Sequence, residues 1–183
     1  AHALAGPDGV PRNLVHGAVN PRHLLVSVDG VVKVADFGMQ AALEVLGAAP
    51  PGDPKATRAF LAPEQIRGTN VDRRADIYAC GALLYRLVTG MLPPPALTDA
   101  VPPPREINSS IPESVETMIL KSMAENPKDR HPTCGALRRD ASKSIRELGL
   151  ASDAVSLAKV VRVQFPEVVP TEESGTGAEK QEK

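Results

Sequence analysis

The sequence predicts a mainly α, α+β fold: a helical bundle around one buried central helix, with a small β-hairpin attached. Three observations carry this. From Asp72 to Thr89, the residues Ile77, Ala79, Cys80, Ala82, Leu83, Leu84, Leu87 and Val88 fall at nearly every angle around a helix, and a helix apolar on all sides is normally buried. Residues 24–28 and 31–34 read as two short strands joined by Asp29-Gly30, a dipeptide that closes tight hairpins. Helical spacing returns in Val115, Met118, Ile119 and Met123.

Composition bounds the rest. A chain of 183 residues makes one domain, or one domain with a tail. Hydrophobic residues are 42% and aromatic residues only 3%, so the core is expected to be built from Leu, Val, Ala and Ile. A net charge of -1 implies no strong pull on nucleic acid or an anionic membrane. Cys80 and Cys134 fit no metal-ligand spacing and read as reduced thiols of a cytoplasmic protein. No signal peptide is visible. The longest apolar run, residues 77–90, contains Arg86 and is too short to span a bilayer.

The elements follow in order. Gly6-Pro7-Asp8-Gly9 and Pro11 break the opening segment into turns. Residues 15–20 lead into a tight loop at Pro21, then into the hairpin, whose apolar strands should be covered on both faces. After Met39 comes a short helical turn, then a mobile loop through Pro50, Pro51, Gly52 and Pro54. Ala62-Pro63-Glu64-Gln65-Ile66 starts a short helix that ends near Gly68. Asp72 can cap the central helix and Gly90 close it. Residues 92–112 are irregular, with at most a short helix near 95–100. Thr133 caps a helix running to about Leu148, and Ser152 begins a last helix ending before Pro166. From Glu167 onward, Glu, Lys, Gly, Thr and Ser without apolar periodicity read as a disordered tail.

The stretch from His16 to Gly38 carries the chemistry. It reads His16-Gly17-Ala18-Val19-Asn20-Pro21-Arg22-His23-Leu24-Leu25, then the hairpin, then Asp36-Phe37-Gly38. With Ala62-Pro63-Glu64 and Asn126-Pro127-Lys128-Asp129-Arg130 following in order, residues 4–148 resemble the C-terminal lobe of a bacterial eukaryotic-like Ser/Thr protein kinase. The resemblance implies a large lobe at 1–149, an accessory helix at 150–166 and the tail at 167–183. The chain lacks a Gly-rich loop, a Val-Ala-x-Lys pattern and a partner Glu helix. The ATP-clamping small lobe is therefore expected to be absent, and the start at Ala1 reads as that of a fragment.

The family's catalytic loop is altered. The carboxylate that orients a substrate hydroxyl and accepts its proton falls at Ala18. The phosphoryl-steadying Lys falls at Asn20, the Mg²⁺-binding Asn at His23, and the phosphate-receiving Arg at Gly17. His23 can ligate a metal or accept a proton, but it stands at a metal-ligand position rather than the base position. Asp36 is the one catalytic-type side chain kept. It is read either as a holder of nucleotide-bound Mg²⁺ or as a retained polar residue, with Phe37 a core plug against His16.

Leu25, Leu83 and Leu87 match the stack beneath an adenine, or simply belong to the core. Thr57, the only Ser, Thr or Tyr between Met39 and Leu61, matches a residue whose partners are now Ala18 and Asn20. Switching by activation-loop phosphorylation is accordingly not expected. His16, Phe37, Gly38, Thr57, Glu64, Asp76 and Arg130 are expected to be structural: Glu64 paired with Arg130, and Asp76 bonded to the loop backbone.

The function expected is a catalytically impaired kinase-like domain, a pseudokinase, acting in signalling through a protein partner, with no cofactor. ATP and Mg²⁺ bind only if a small lobe is supplied, through Asp36, Leu25 and His23. Two alternatives stay open. One is a fragment of a Ser/Thr kinase that still binds ATP and has weak or atypical phosphotransferase activity. The other is an adaptor lobe whose vacated cleft, around Leu25, Phe37 and Leu83, docks a partner.

Overall fold

Eight helices and one two-stranded sheet form among the described residues of the computed structural model, which are 2, 4–10, 14–48 and 53–168. The chain divides into two units: Ala1–Leu25 with Val34–Leu150, and Val26–Lys33 with Ala151–Lys183.

A 3₁₀ turn at Pro21–His23 precedes strand β1, Leu24–Val26, which pairs with β2, Val32–Val34. The helices α1 Met39–Leu46, α2 Pro54–Arg58, α3 Pro63–Ile66, α4 Arg74–Thr89, α5 Pro104–Ile107, α6 Glu113–Ser122 and α7 Cys134–Glu147 follow. The expected helix near 95–100 lies instead at α5, where Pro104 supplies the fixed φ of a first helical turn. α1 is a helix of eight residues rather than a single turn. Pro50, Pro51 and Gly52 of the predicted mobile loop lie outside the described residues, and its end at Pro54 opens α2.

α4 is the pillar. It buries Ala75, Ile77, Tyr78, Ala79, Ala82 and Tyr85, and Gly90 closes it at φ 73°. Asp72 serves its first turn without being the residue next to the helix. Its Oδ1 accepts the Arg74 N–H at 2.8 Å, and its two carboxylate oxygens take three bonds from the Arg74 guanidinium at 2.7–3.0 Å. That side-chain pairing with Arg74 holds the Asp72 carboxyl below the usual range. Burial does not extend to the last turn, where Leu87 is 69% exposed.

The core departs from its predicted composition. Tyr78 and Tyr85 are its largest fully buried side chains, with Phe60, Ile77, Ile119, Met118 and Met123 around them. Val19 and Leu137 are the buried Val and Leu among the described residues. Tyr78 and Tyr85 belong to the pillar and Phe60 packs with them, whereas Phe37, Phe165 and many valines and leucines of the hairpin and the terminal segments are exposed. Tyr78 is deep enough that burial pushes its hydroxyl up to about 12.

α6 crosses α4 where Gly81 leaves room. A Cβ there would lie 2.7 Å from the Ser122 Cβ and 2.8 Å from the Met123 Cγ. Gly81→Ala gains about 1 kcal/mol of helix propensity but overpacks a contact whose neighbours are fixed to a helix, at a cost of about 1–3 kcal/mol. The overpacking wins, and the denaturant midpoint falls; a raised midpoint would show that the helices can separate freely. α7 begins as predicted, with Thr133 Oγ1 accepting the Ala136 N–H at 3.1 Å, and closes before Gly149 at φ 63°. Buried His131 ties α6 to α7 through Ser122 at 3.1 Å and Asp140 at 2.9 Å.

Neither face of the hairpin is covered in the way the sequence predicts. Leu25, Val26, Val32 and Val34 are 57, 46, 51 and 42% exposed. A two-stranded ribbon covers neither face unless another layer packs on it, and no third strand pairs with it among the described residues.

The second unit joins the hairpin tip to α8, Ala154–Gln164. Asp153, rather than Ser152, caps this helix, accepting the Ser156 N–H at 2.7 Å. Gly30 at φ 76° meets the first turns of α8 so closely that a Cβ would strike the Ala154 carbonyl and the Ala158 nitrogen. Only glycine satisfies both conditions. Arg162 reaches back to Asp29 at 3.6 Å. Of the predicted tail, Glu167 and Val168 belong to a 3₁₀ turn, Pro166–Val168; residues 169–183 lie outside the described residues.

Candidate functional site

The loop at residues 16–20 hangs from the first turn of α4. Asp76 accepts the His16 N–H and the Gly17 N–H, each at 2.8 Å, one on each carboxylate oxygen. His16 is 2% exposed. Its Nε2 lies 2.7 Å from the Ala35 carbonyl, which can only accept, so the ring proton is on Nε2. Nδ1 is then the acceptor for the Ala18 N–H at 3.2 Å. One imidazole thus locks the loop to the segment entering Asp36-Phe37-Gly38. The Phe37 ring packs on it at 4.6 Å between centroids, although Phe37 is 49% exposed and so only partly a core plug.

The polar side chains of the loop turn inward onto its own backbone. The Ala18 carbonyl accepts from His23 Nδ1 at 2.7 Å and from Asn20 Nδ2 at 3.0 Å. Asn20 Oδ1 in turn accepts the Arg22 N–H at 2.9 Å, capping the 3₁₀ turn. Asn20 is buried at 6% exposure, so its amide serves the loop and not a ligand. The methyl group of Ala18 can neither orient a hydroxyl nor take its proton.

Asp36 sits at φ 64°, a left-handed conformation unusual outside glycine, followed by Gly38 at φ 80°. With Nδ1 of His23 donating to Ala18, its Nε2 faces the Asp36 Oδ2 at 3.7 Å. These are the two side chains that the sequence offers for a nucleotide-bound cation. Mg²⁺ takes oxygen donors in octahedral geometry, and imidazole suits softer transition metals. Asp36 therefore offers one donor of the kind Mg²⁺ takes, and the imidazole of His23 adds none. No cluster of three His, Cys, Asp or Glu able to hold a metal occurs among the described residues.

Behind the loop, Glu64 and Arg130 form a bidentate pair at 2.7 and 2.8 Å, with the Arg130 side chain fully buried. The other Arg130 donors reach the Ala124, Arg74 and Glu125 carbonyls at 2.8, 2.9 and 3.1 Å, so every guanidinium hydrogen is used. The cation also lies 5.0 Å from the Tyr78 ring centre.

Thr57 does not reach the loop: its hydroxyl donates to the Asp53 carbonyl at 3.1 Å, inside the first turn of α2. Leu25 and Leu87 are exposed and so are not core, while Leu83 is half-buried and lines a cavity.

Two contributors escaped the sequence reading. Gln65 donates to the Gly17 carbonyl at 2.7 Å and accepts the Ala62 N–H at 3.0 Å, joining α3 to the loop. Its signal was position alone, next to Glu64 after Pro63. His2 contacts the second oxygen of the Asp76 carboxylate at 2.7 Å, and nothing in its surroundings in sequence announces this. His2, His16, Leu24, Val34, Phe37 and Leu83 share in lining a cavity of about 680 Å³.

A loop hung from the start of a central helix, an Asp-Phe-Gly turn stacked beside it and a buried Glu–Arg clasp behind it make up the ground plan of a protein kinase. The chain belongs to the protein kinase domain family, whose description matches residues 11–141. Among curated relatives, the tyrosine-protein kinase MasK of Myxococcus xanthus is 36% identical over 184 residues, covering 95% of this chain and 28% of the relative. The serine/threonine-protein kinase PknL of Mycobacterium tuberculosis is 35% identical over 147 residues, covering 75% of this chain and 37% of the relative. The chain thus spans roughly a third or less of these relatives' length. The solved kinase domain of Mycobacterium tuberculosis PknI superposes with a TM-score of 0.54 at 26% identity, over 70% of this chain and 48% of that one. No helix among the described residues is long and apolar enough to cross a membrane.

Proposed function

We propose that this chain is a catalytically impaired kinase-like domain, a pseudokinase, that works in signalling by binding a protein partner. The observation that carries this is the use made of the loop's side chains. Ala18 stands where the reaction needs a carboxylate, and both neighbouring replacements, Asn20 and His23, are bonded to the Ala18 carbonyl. Phosphoryl transfer depends on positioning and on electrostatic stabilisation of the moving phosphoryl group. A loop whose polar groups are satisfied by its own backbone supplies neither. Further support comes from His23, whose imidazole offers Mg²⁺ no oxygen donor beside Asp36. Exposed apolar side chains suit a protein partner: Leu25 at 57%, Val34 at 42% and Phe37 at 49%.

A second reading is favoured by Asp36 itself. Its left-handed backbone is the kind of strain that persists at ligand sites, and it fits a domain that still holds ATP with weak or atypical transfer. One experiment separates the two. The full-length protein is titrated with ATP and Mg²⁺ while its thermal unfolding is followed, and phosphotransfer is assayed alongside. The pseudokinase reading expects no phosphotransfer, and a lack of thermal shift at millimolar ATP would remove the nucleotide reading. Ala18→Asp is expected to remain inactive, because Asn20 and His23 still lack the chemistry of the groups they replace. Robust autophosphorylation of that variant would mean that a single side chain is the whole defect.

A further inference from the structure

Three side chains that take no part in the kinase reading as a group converge at the cavity. His2 Nε2 lies 2.7 Å from Asp76 Oδ2, and Cys134 Sγ lies 3.6 Å from His2 Nδ1. A carboxylate only accepts, so His2 carries its proton on Nε2 and turns the lone pair of Nδ1 toward the thiol. Nucleophile, base and orienting carboxylate in that order make an activated-nucleophile arrangement. The base and its orienter are held in place, at 18 and 5% side-chain exposure, while Cys134 is exposed. The sulfur belongs to the first residue of the 14-residue helix α7, where helix N–H groups favour developing negative charge. The cavity of about 680 Å³ adds apolar walls from Val19, Leu24 and Leu83.

Ser122, His131 and Asp140 repeat the same order of groups. Ser122 is fully buried, however, and its hydroxyl donates to the Met118 carbonyl at 2.9 Å, so no reagent reaches it.

We propose that Cys134 is a covalent modification site for soft electrophiles of the α,β-unsaturated carbonyl class, with His2 as proton acceptor and Asp76 as the group that positions His2. The balance is simple. As Sγ forms a bond to the β-carbon, its proton passes to His2 Nδ1. The carbon–carbon π pair moves to the α-carbon, which takes the proton back from His2. Nothing leaves, and no oxidant or reductant enters.

The resting group is a thiol: although the residue is exposed, partial desolvation of its sulfur, and after it Asp76, push its pKa up while Arg73 opposes them. Reactivity therefore depends on His2 removing the proton during attack. Cys80 lines the same cavity as an internal control, its thiol pushed up to about 12 chiefly by burial. An adduct on Cys134 crowds His2 against Asp76, the residue that holds the His16 and Gly17 amides, so modification at the cavity is felt at the loop.

The test uses N-ethylmaleimide on the full-length protein at neutral pH, with labelling of each cysteine followed by mass spectrometry. A positioned base typically contributes 10² or more, so folding should speed Cys134 at least about tenfold over the guanidinium-unfolded chain, while Cys80 slows on folding. His2→Gln keeps a donor to Asp76 but cannot take a proton, and it should slow Cys134 about tenfold with Cys80 unchanged. If that variant fails to fold, the folded-to-unfolded ratio of the unaltered protein decides alone. A ratio of one or less, or an unchanged Cys134 rate in folded His2→Gln, overturns the proposal.

Discussion

Replacing Arg130 by methionine is expected to lower the unfolding free energy by about 3–5 kcal/mol, the cost of leaving a buried ionic partner unpaired. Glu64 would keep its charge at 8% side-chain exposure with no cation beside it. Three backbone carbonyls, of Arg74, Ala124 and Glu125, would lose their donor as well. Those two losses can be told apart. Glu64→Leu combined with Arg130→Met removes the stranded charge but leaves the carbonyls unserved. The double variant should therefore recover part of the stability and not all of it, since apolar replacement of a whole buried pair is often near neutral. Chemical denaturation of both variants gives the comparison. A loss below about 1 kcal/mol for Arg130→Met would put this pair in the class of exposed ion pairs, against the geometry described here.

The second large effect belongs to Asp76. In Asp76→Ala the His16 and Gly17 amides lose a charged acceptor. Hydrogen bonds to charged groups contribute about 1.5–3 kcal/mol each, so a loss of about 3 kcal/mol or more is expected. The local readout is sharper than the global one. Amide hydrogen exchange at His16 and Gly17 should accelerate far more than exchange along α6. Equal acceleration everywhere would mean that Asp76 supports the fold in general and not this loop. Asp76→Asn keeps one carbonyl oxygen but sets an NH₂ against the other amide, so its effect should lie between wild type and alanine.

Glu64, Arg130 and Asp76 were legible in the sequence because each sits in a run of letters whose order has a mechanical meaning. Glu64 follows Ala62-Pro63, Arg130 closes Asn126-Pro127-Lys128-Asp129, and Asp76 opens an apolar helix. Turn and cap chemistry was equally legible at Asn20-Pro21, Thr133 and Gly149, where the deciding forces are local, whereas the predicted two-residue turn at Asp29-Gly30 is a longer loop that starts at Val28, closed by Ser27 accepting the Gly30 N–H. Contacts made across long sequence distances were not. The bonds of Gln65 to Gly17 and of His2 to Asp76 span 48 and 74 positions, and neither residue carries a local signature.

The composition of the core was misjudged for a related reason. Counting Leu and Val says how much apolar surface a chain carries, not which of it is enclosed. Here Tyr78 and Tyr85 lie at the centre, while Leu25, Val32 and Leu87 face outward. At the loop, the sequence displayed Ala18 where the family resemblance led one to expect a carboxylate. The structure adds that His23 and Asn20 close on the Ala18 carbonyl and that His23 stands beside Asp36.

The hairpin tip and α8 have a consequence for how the polypeptide is put together. Their unit is made of residues 26–33 and 151–183, with 34–150 lying between them along the chain. Gly30 finds its neighbours at Ala154 and Ala158, more than a hundred positions downstream. During synthesis, the tip of an early hairpin must wait for the last helix before its partner exists. Closing so long a loop is slow to reward. Cutting the chain before Ala154 is then not a trim at the periphery: it removes the seat of a turn that the ribosome delivered long before.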